Sequence, residues 1–190
     1  MDVHEHLMLL GGAGMGKSTV TLRVAAAIAG AWLNGGDEGD RTYSVGSPVL
    51  PLRVSAGRLA ARLERPAVRM LEEAVTAELG PYLTAEFPAH LLEGPVRGVR
   101  WLLLVDAVDE IADPERWARL LNVLASWALA PRGPYRLLVT SRPLDGPELS
   151  SLGAGRGGQV RAPGVRPCGA GTFRRQLVHR RWGRRSTRSA

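Results

Sequence analysis

One short stretch near the start, Gly11-Gly12-Ala13-Gly14-Met15-Gly16-Lys17-Ser18-Thr19, restricts this chain more than anything else in it. An apolar run, His6 to Leu10 (HLMLL), precedes it, and an Ala-rich segment from Lys17 to Trp32 follows. The apolar run predicts a buried strand. The Ala-rich segment predicts a helix with Val20, Val24, Ile28 and Ala31 on one face. Between them stands the pattern Gly-x-x-x-x-Gly-Lys-Ser, in the strand–turn–helix setting that gives the pattern its meaning. Glycines let the backbone turn tightly and aim successive N–H groups inward, which makes a nest for an anion. The start of the helix adds the positive end of its dipole. Lys17 is the only lysine in the chain, and a compact ammonium suits phosphate oxygens in a loop too narrow for a guanidinium. The Ser18 hydroxyl is suited to Mg²⁺. The stretch is therefore expected to bind a nucleoside triphosphate with Mg²⁺ through residues 11–19.

Two further segments carry chemistry. Trp101 to Val105 (WLLLV) is an apolar strand that runs into Asp106-Ala107-Val108-Asp109-Glu110. An acid at a strand's carboxyl end can hold Mg²⁺, here Asp106, and Asp109 or Glu110 can orient and polarise an attacking water. The next predicted strand, Arg136 to Thr140 (RLLVT), ends in Ser141-Arg142-Pro143. Ligands of open α/β sheets bind outside the carboxyl ends of the strands, so Arg142 is placed to stabilise the γ-phosphate.

The remaining pattern supplies the architecture. Pro48 to Val54 predicts a strand whose prolines suit a sheet edge or a late start. Arg58–Glu64 and Ala67–Leu79 predict helices, the latter burying Leu71, Val75 and Leu79. Arg116–Ala128 predicts another helix. Asp113 is its N-cap, Pro114 and Glu115 stand in its first turn, and Trp117, Leu120, Leu121, Leu124 and Ala128 share its buried face. Strands alternating with helices predict an α/β three-layer sandwich with a mostly parallel sheet and helices on both faces.

Charge divides the chain. Residues 1–150 hold 15 basic and all 18 acidic side chains, whereas residues 151–190 hold ten arginines and no acid. Residues 1–150 therefore carry no general charge for nucleic acid. No apolar run approaches the roughly 18 residues of a membrane span. The single cysteine, Cys168, leaves no internal disulfide. No signal peptide is visible, and these features together predict a cytoplasmic protein without membrane contact.

Together GGAGMGKST, LLLVDAVDE and LLVTSRP resemble the NACHT group of signalling NTPases, within the wider STAND class. PVLPLRVSAGRLA resembles the second strand and following helix of that group, and the likeness spans about residues 4 to 150. The resemblance implies ATP as the nucleotide. It assigns Lys17 and Ser18 to phosphate and magnesium, Asp106 to magnesium, Asp109 and Glu110 to hydrolysis, and Arg142 to sensing the γ-phosphate. Members are slow ATP-driven switches that self-associate when activated. Ala107 stands where the group often has Gly. The group's helical lid, winged helix, repeats and effector region have no counterpart here, so the sheet is expected to be incomplete at its C-terminal side.

These features divide the chain into an NTPase core, residues 1–152, and an Arg/Gly-rich tail, residues 153–190, expected to be disordered. A basic arm for nucleic acid or an acidic partner, and a shifted reading frame of a GC-rich gene, are rival readings of the tail. For the core, a non-hydrolysing nucleotide-binding fragment and a small-molecule kinase are the alternatives, because the phosphate loop alone does not choose the acceptor. GTP is disfavoured, since the Asn-Lys-x-Asp motif that reads guanine needs a second lysine.

Overall fold

The computed structural model describes residues 6–33, 48–82, 87–143 and 157–161. Nine principal elements follow in order. They are β1 (His6–Leu10), α1 (Lys17–Leu33), β2 (Val49–Ser55), α2 (Ala56–Ala60), α3 (Ala67–Leu79), β3 (Arg100–Asp106), α4 (Pro114–Leu129), β4 (Tyr135–Ser141) and β5 (Gly157–Arg161). Short 3-10 turns cover Gly80–Tyr82, Ala89–Leu92 and Val108–Glu110. Among the described residues the strands form one five-stranded sheet in the order β2-β3-β4-β1-β5, with every pairing parallel. The chain is thus α/β, with a parallel sheet covered by helices on both faces.

Alternation along the strands sorts the two faces. Trp101, Leu103 and Val105 of β3 join Leu137 and Val139 of β4 and Leu52 and Val54 of β2 in the larger core, under α2, α3 and α4. Leu102 and Leu104 point the other way and meet Val49, Leu138 and Ile28 beneath α1. A central parallel strand is buried on both faces and therefore reads as a continuous apolar run, as β3 does. Beside it, β2 lies at the sheet edge with Pro51 inside the strand, as its prolines predict.

Three expectations need adjustment. In α1 the inward face is Thr21, Val24, Ala25 and Ile28, while Ala31 is exposed. The helix expected at Arg58–Glu64 is shifted: α2 starts at Ala56, where the Ser55 hydroxyl accepts from Arg58 N–H, and ends at Ala60 in a run of turns. The sheet also has a strand beyond β4. β5 pairs in parallel with β1, His6 opposite Gly157 and Leu10 opposite Arg161. It falls within residues 153–190 and extends by one strand the sheet expected to be incomplete at its C-terminal side. Of the tryptophans, Trp101 is buried, whereas Trp32 is exposed and donates to the Val49 carbonyl at 2.8 Å.

The other helices match their patterns within a residue or two. In α4 the Asp113 carboxylate accepts from Glu115 N–H at 2.9 Å and Arg116 N–H at 3.3 Å, with Pro114 in the first turn. Residues 34–47, which include the polar, Gly-rich stretch Asn34–Asp40, and residues 144–156 and 162–190 lie outside the described residues. No described helix is long and apolar enough to cross a membrane.

Candidate nucleotide site

Parallel pairing puts the carboxyl ends of β1, β3 and β4 on one rim of the sheet, with β4 between the other two. Each strand ends in one of the three motifs. Gly11 N–H continues the β1–β4 ladder by donating to the Ser141 carbonyl at 3.1 Å, which fixes the start of the glycine loop. Gly14 and Gly16 then take positive φ, 71° and 77°, a conformation that would strain any residue bearing Cβ. These two turns direct the chain from β1 into α1, whose first residue is Lys17.

The loop and the acids enclose a cavity of about 330 Å³. Its lining is residues 13–19, Asp106, Ala107, Asp109, Glu110 and Arg142. Gly11 and Gly12, expected among the binding residues, do not line it. Their carbonyls instead accept from Lys17 Nζ at 2.7 and 3.1 Å. The loop thus holds its own lysine against its first turn, and Met15 folds its sulfur to 2.9 Å from Gly12 N–H.

Asp106 is 3% exposed at the end of β3. Its Oδ1 accepts from Thr140 Oγ1 at 2.6 Å and its Oδ2 from Arg53 Nη2 at 2.7 Å. Burial would push this carboxyl up; hydrogen bonds from Thr140, Arg53 and Ser18, with the Arg53 charge, outweigh burial and hold it below the usual carboxylate range. The carboxylate is therefore ionised at neutral pH. Thr140 Oγ1 also accepts from Ala107 N–H at 2.9 Å, so one hydroxyl ties β4 to the acid and to the turn that follows it. Ala107 itself has φ 64° and ψ 51°, in the left-handed region. That turn is what swings Val108–Glu110 back over the cavity.

Asp109 does not face the cavity as an unengaged carboxylate. Its Oδ1 accepts from Arg142 N–H at 3.0 Å and its Oδ2 pairs with Arg142 Nε at 2.8 Å. Glu110, next in the turn, is exposed and makes no ion pair among the described residues. Of the two acids expected to orient water, the geometry gives Asp109 the task of holding Arg142 and leaves Glu110 available.

Two residues of this arrangement were not singled out by sequence. Thr140 was seen only as part of the strand-end motif, and Arg53 only as part of a strand. Their partners are 34 and 53 residues away, and no local pattern encodes such distances.

The donor set fits a hard divalent cation. Ser18 and Asp106 both offer oxygen, and both line the cavity together with the loop residues. No group of three or more His, Cys, Asp or Glu side chains able to hold a metal occurs among the described residues. Mg²⁺ in nucleotide sites is commonly held by one or two protein oxygens together with phosphates and water, without a dedicated protein cage. Neither a scan against protein-family models nor a comparison with curated proteins returns a match.

Proposed function

We propose that the chain is an ATP-binding, slowly hydrolysing switch domain of NACHT type. The observation that carries this reading is a single cavity lined at once by the glycine loop, the Asp106 carboxylate, Glu110 and Arg142. Sequence separates these groups by more than 120 residues, and the parallel sheet gathers them on one rim. A structural role alone would not require a loop with two left-handed glycines to open towards an ionised acid and an exposed arginine.

In this reading the amides of residues 13–19 cradle the phosphates, and Lys17 exchanges the Gly11 and Gly12 carbonyls for phosphate oxygens. Mg²⁺, held by Ser18 and Asp106, would neutralise charge on the phosphates. Glu110 orients a water for in-line attack on the γ-phosphorus. The new P–O bond forms as the bond to the β-phosphate oxygen breaks, ADP leaves, and the water's proton passes towards Glu110 or solvent. Arg142, held by Asp109, stabilises the charge that develops on the transferring group. An exposed water-orienting acid, with no ion pair among the described residues, accords with slow turnover. The same reading makes the domain cytoplasmic and gives it other copies of itself as partners.

The test separates binding from chemistry. Lys17→Ala should abolish most ATP binding, whereas Glu110→Gln should bind ATP and release phosphate at least about 100-fold more slowly. Equal loss of binding in both variants would contradict these roles. Binding without turnover in the unaltered chain would favour the non-hydrolysing alternative.

A further inference from the structure

Arg53 lies partly buried beside the site, yet it lines no part of the cavity. All three of its guanidinium nitrogens are engaged: Nε with Thr21 Oγ1 at 3.4 Å, Nη1 with Glu78 Oε1 at 3.0 Å, and Nη2 with Asp106 Oδ2 at 2.7 Å. Thr21 sits in the first turns of α1 and bonds back to the Ser18 carbonyl at 2.9 Å. Glu78, at the end of α3, also pairs with Arg58 Nε at 2.9 Å. One guanidinium therefore joins β2, α1, α3 and β3 around the carboxylate assigned to the metal.

We infer that Arg53 is the resident counter-ion of Asp106 and competes with Mg²⁺ for it. This inference rests on the nucleotide-binding reading above. A carboxylate only 3% exposed must have a partner to stay ionised, and here a permanently charged guanidinium fills that role. The same charge, in contact with Oδ2, opposes a divalent cation approaching Ser18 and Asp106. Thr140 already claims Oδ1, so a metal must share or displace one of two established bonds. Glu78 moderates the competition. It draws on Nη1 and supplies the negative charge towards which Arg53 can lean when Asp106 turns to the metal. The site is thereby set to load magnesium only when nucleotide phosphates contribute their own negative charge.

The experiment is ATP binding by calorimetry at a series of Mg²⁺ concentrations, on the full chain and on Arg53→Gln and Glu78→Gln. Arg53→Gln should lower the half-saturating Mg²⁺ concentration by about tenfold or more. Glu78→Gln, which leaves the Arg53 charge less neutralised, should raise it by about threefold. Circular dichroism establishes that each variant is folded. If Arg53→Gln does not fold, the Glu78→Gln shift alone decides. An unchanged or raised requirement for Mg²⁺ in folded Arg53→Gln, or an unchanged or lowered one in Glu78→Gln, overturns the inference. Absence of ATP binding by the unaltered chain at any Mg²⁺ concentration would instead strike the functional reading itself.

Discussion

Asp109 and Arg142 are joined twice, through the backbone N–H at 3.0 Å and through Nε at 2.8 Å, although 33 residues separate them. The double contact fixes both where the Arg142 main chain leaves β4 and where its guanidinium begins. Arginine is long and half exposed here, and without this tether its charge would be spread over many rotamers. Asp109→Ala should therefore lower ATP turnover by about 100-fold while changing ATP affinity less than about threefold. Steady-state phosphate release and calorimetry on the same preparation check this. A parallel loss in affinity would mean that Asp109 contacts the nucleotide complex directly.

Ala107 occupies the left-handed region with a side chain that this region disfavours by roughly 1–2 kcal/mol. Glycine would remove that strain but would lose about 0.4–1 kcal/mol through the greater freedom of its unfolded chain. Ala107→Gly should thus stabilise the fold by about 0.5–1 kcal/mol, read as a higher denaturant midpoint at unchanged slope. A destabilised variant would show that the turn is held in place by more than its local conformation.

Thr140 is fully buried and serves two partners, donating to Asp106 and accepting from Ala107 N–H. Thr140→Val keeps the shape and deletes both bonds, one of them to an ionised group, so a loss of about 2–4 kcal/mol is expected. Thr140→Ser should recover most of it. Asp106 gives the effect a pH signature. Its carboxyl is held below the ordinary value, so the stability it confers is present above about pH 4 and is lost as pH falls through the depressed value. The difference between Thr140→Val and the unaltered chain should accordingly shrink in acid. A constant difference from pH 7 to pH 2 would remove the Asp106 bond from the account.

Tyr135 supplies a second, alkaline signature. Burial, aided by the charge of Glu93, pushes its phenol up to about 12, and its hydroxyl donates to the Leu92 carbonyl. A raised folded value means that the contribution to stability is complete below about pH 10 and is lost as pH rises through about 12. Tyr135→Phe should make stability less sensitive to pH over that interval, measured by urea unfolding at fixed alkaline pH. Equal sensitivity in both proteins would place the alkaline weakness elsewhere.

Legibility in the sequence followed the range of the interactions. β3 was readable because a strand buried on both faces needs only consecutive apolar residues, and Trp101 to Val105 provide them. The glycine loop was readable because Gly14 and Gly16 meet a local backbone demand. The N-cap of α4 was visible for the same reason, its partners lying two and three residues away. α2 was misplaced because a five-residue helix has too few turns to show a period, and the Ser55 cap that starts it was not recognised. β5 was missed because Gly157-Gly158-Gln159-Val160-Arg161 has no apolar run or alternation and draws its ladder from β1. Arg53 and Thr140 were missed as site residues because only the sheet order brings them to Asp106. Sequence also offered Asp109 and Glu110 as equivalent acids, and the Arg142 contacts separate them.

In the proposed function, the cavity at the carboxyl ends of β1, β3 and β4 binds ATP with Mg²⁺ through Lys17. Isothermal titration of the chain with ATP in the presence of Mg²⁺, beside Lys17→Ala, addresses it most directly. Saturable one-to-one binding that Lys17→Ala weakens by at least about 100-fold is the predicted result. A folded chain that takes up no ATP, or binds it equally well without the Lys17 ammonium, would contradict the claim.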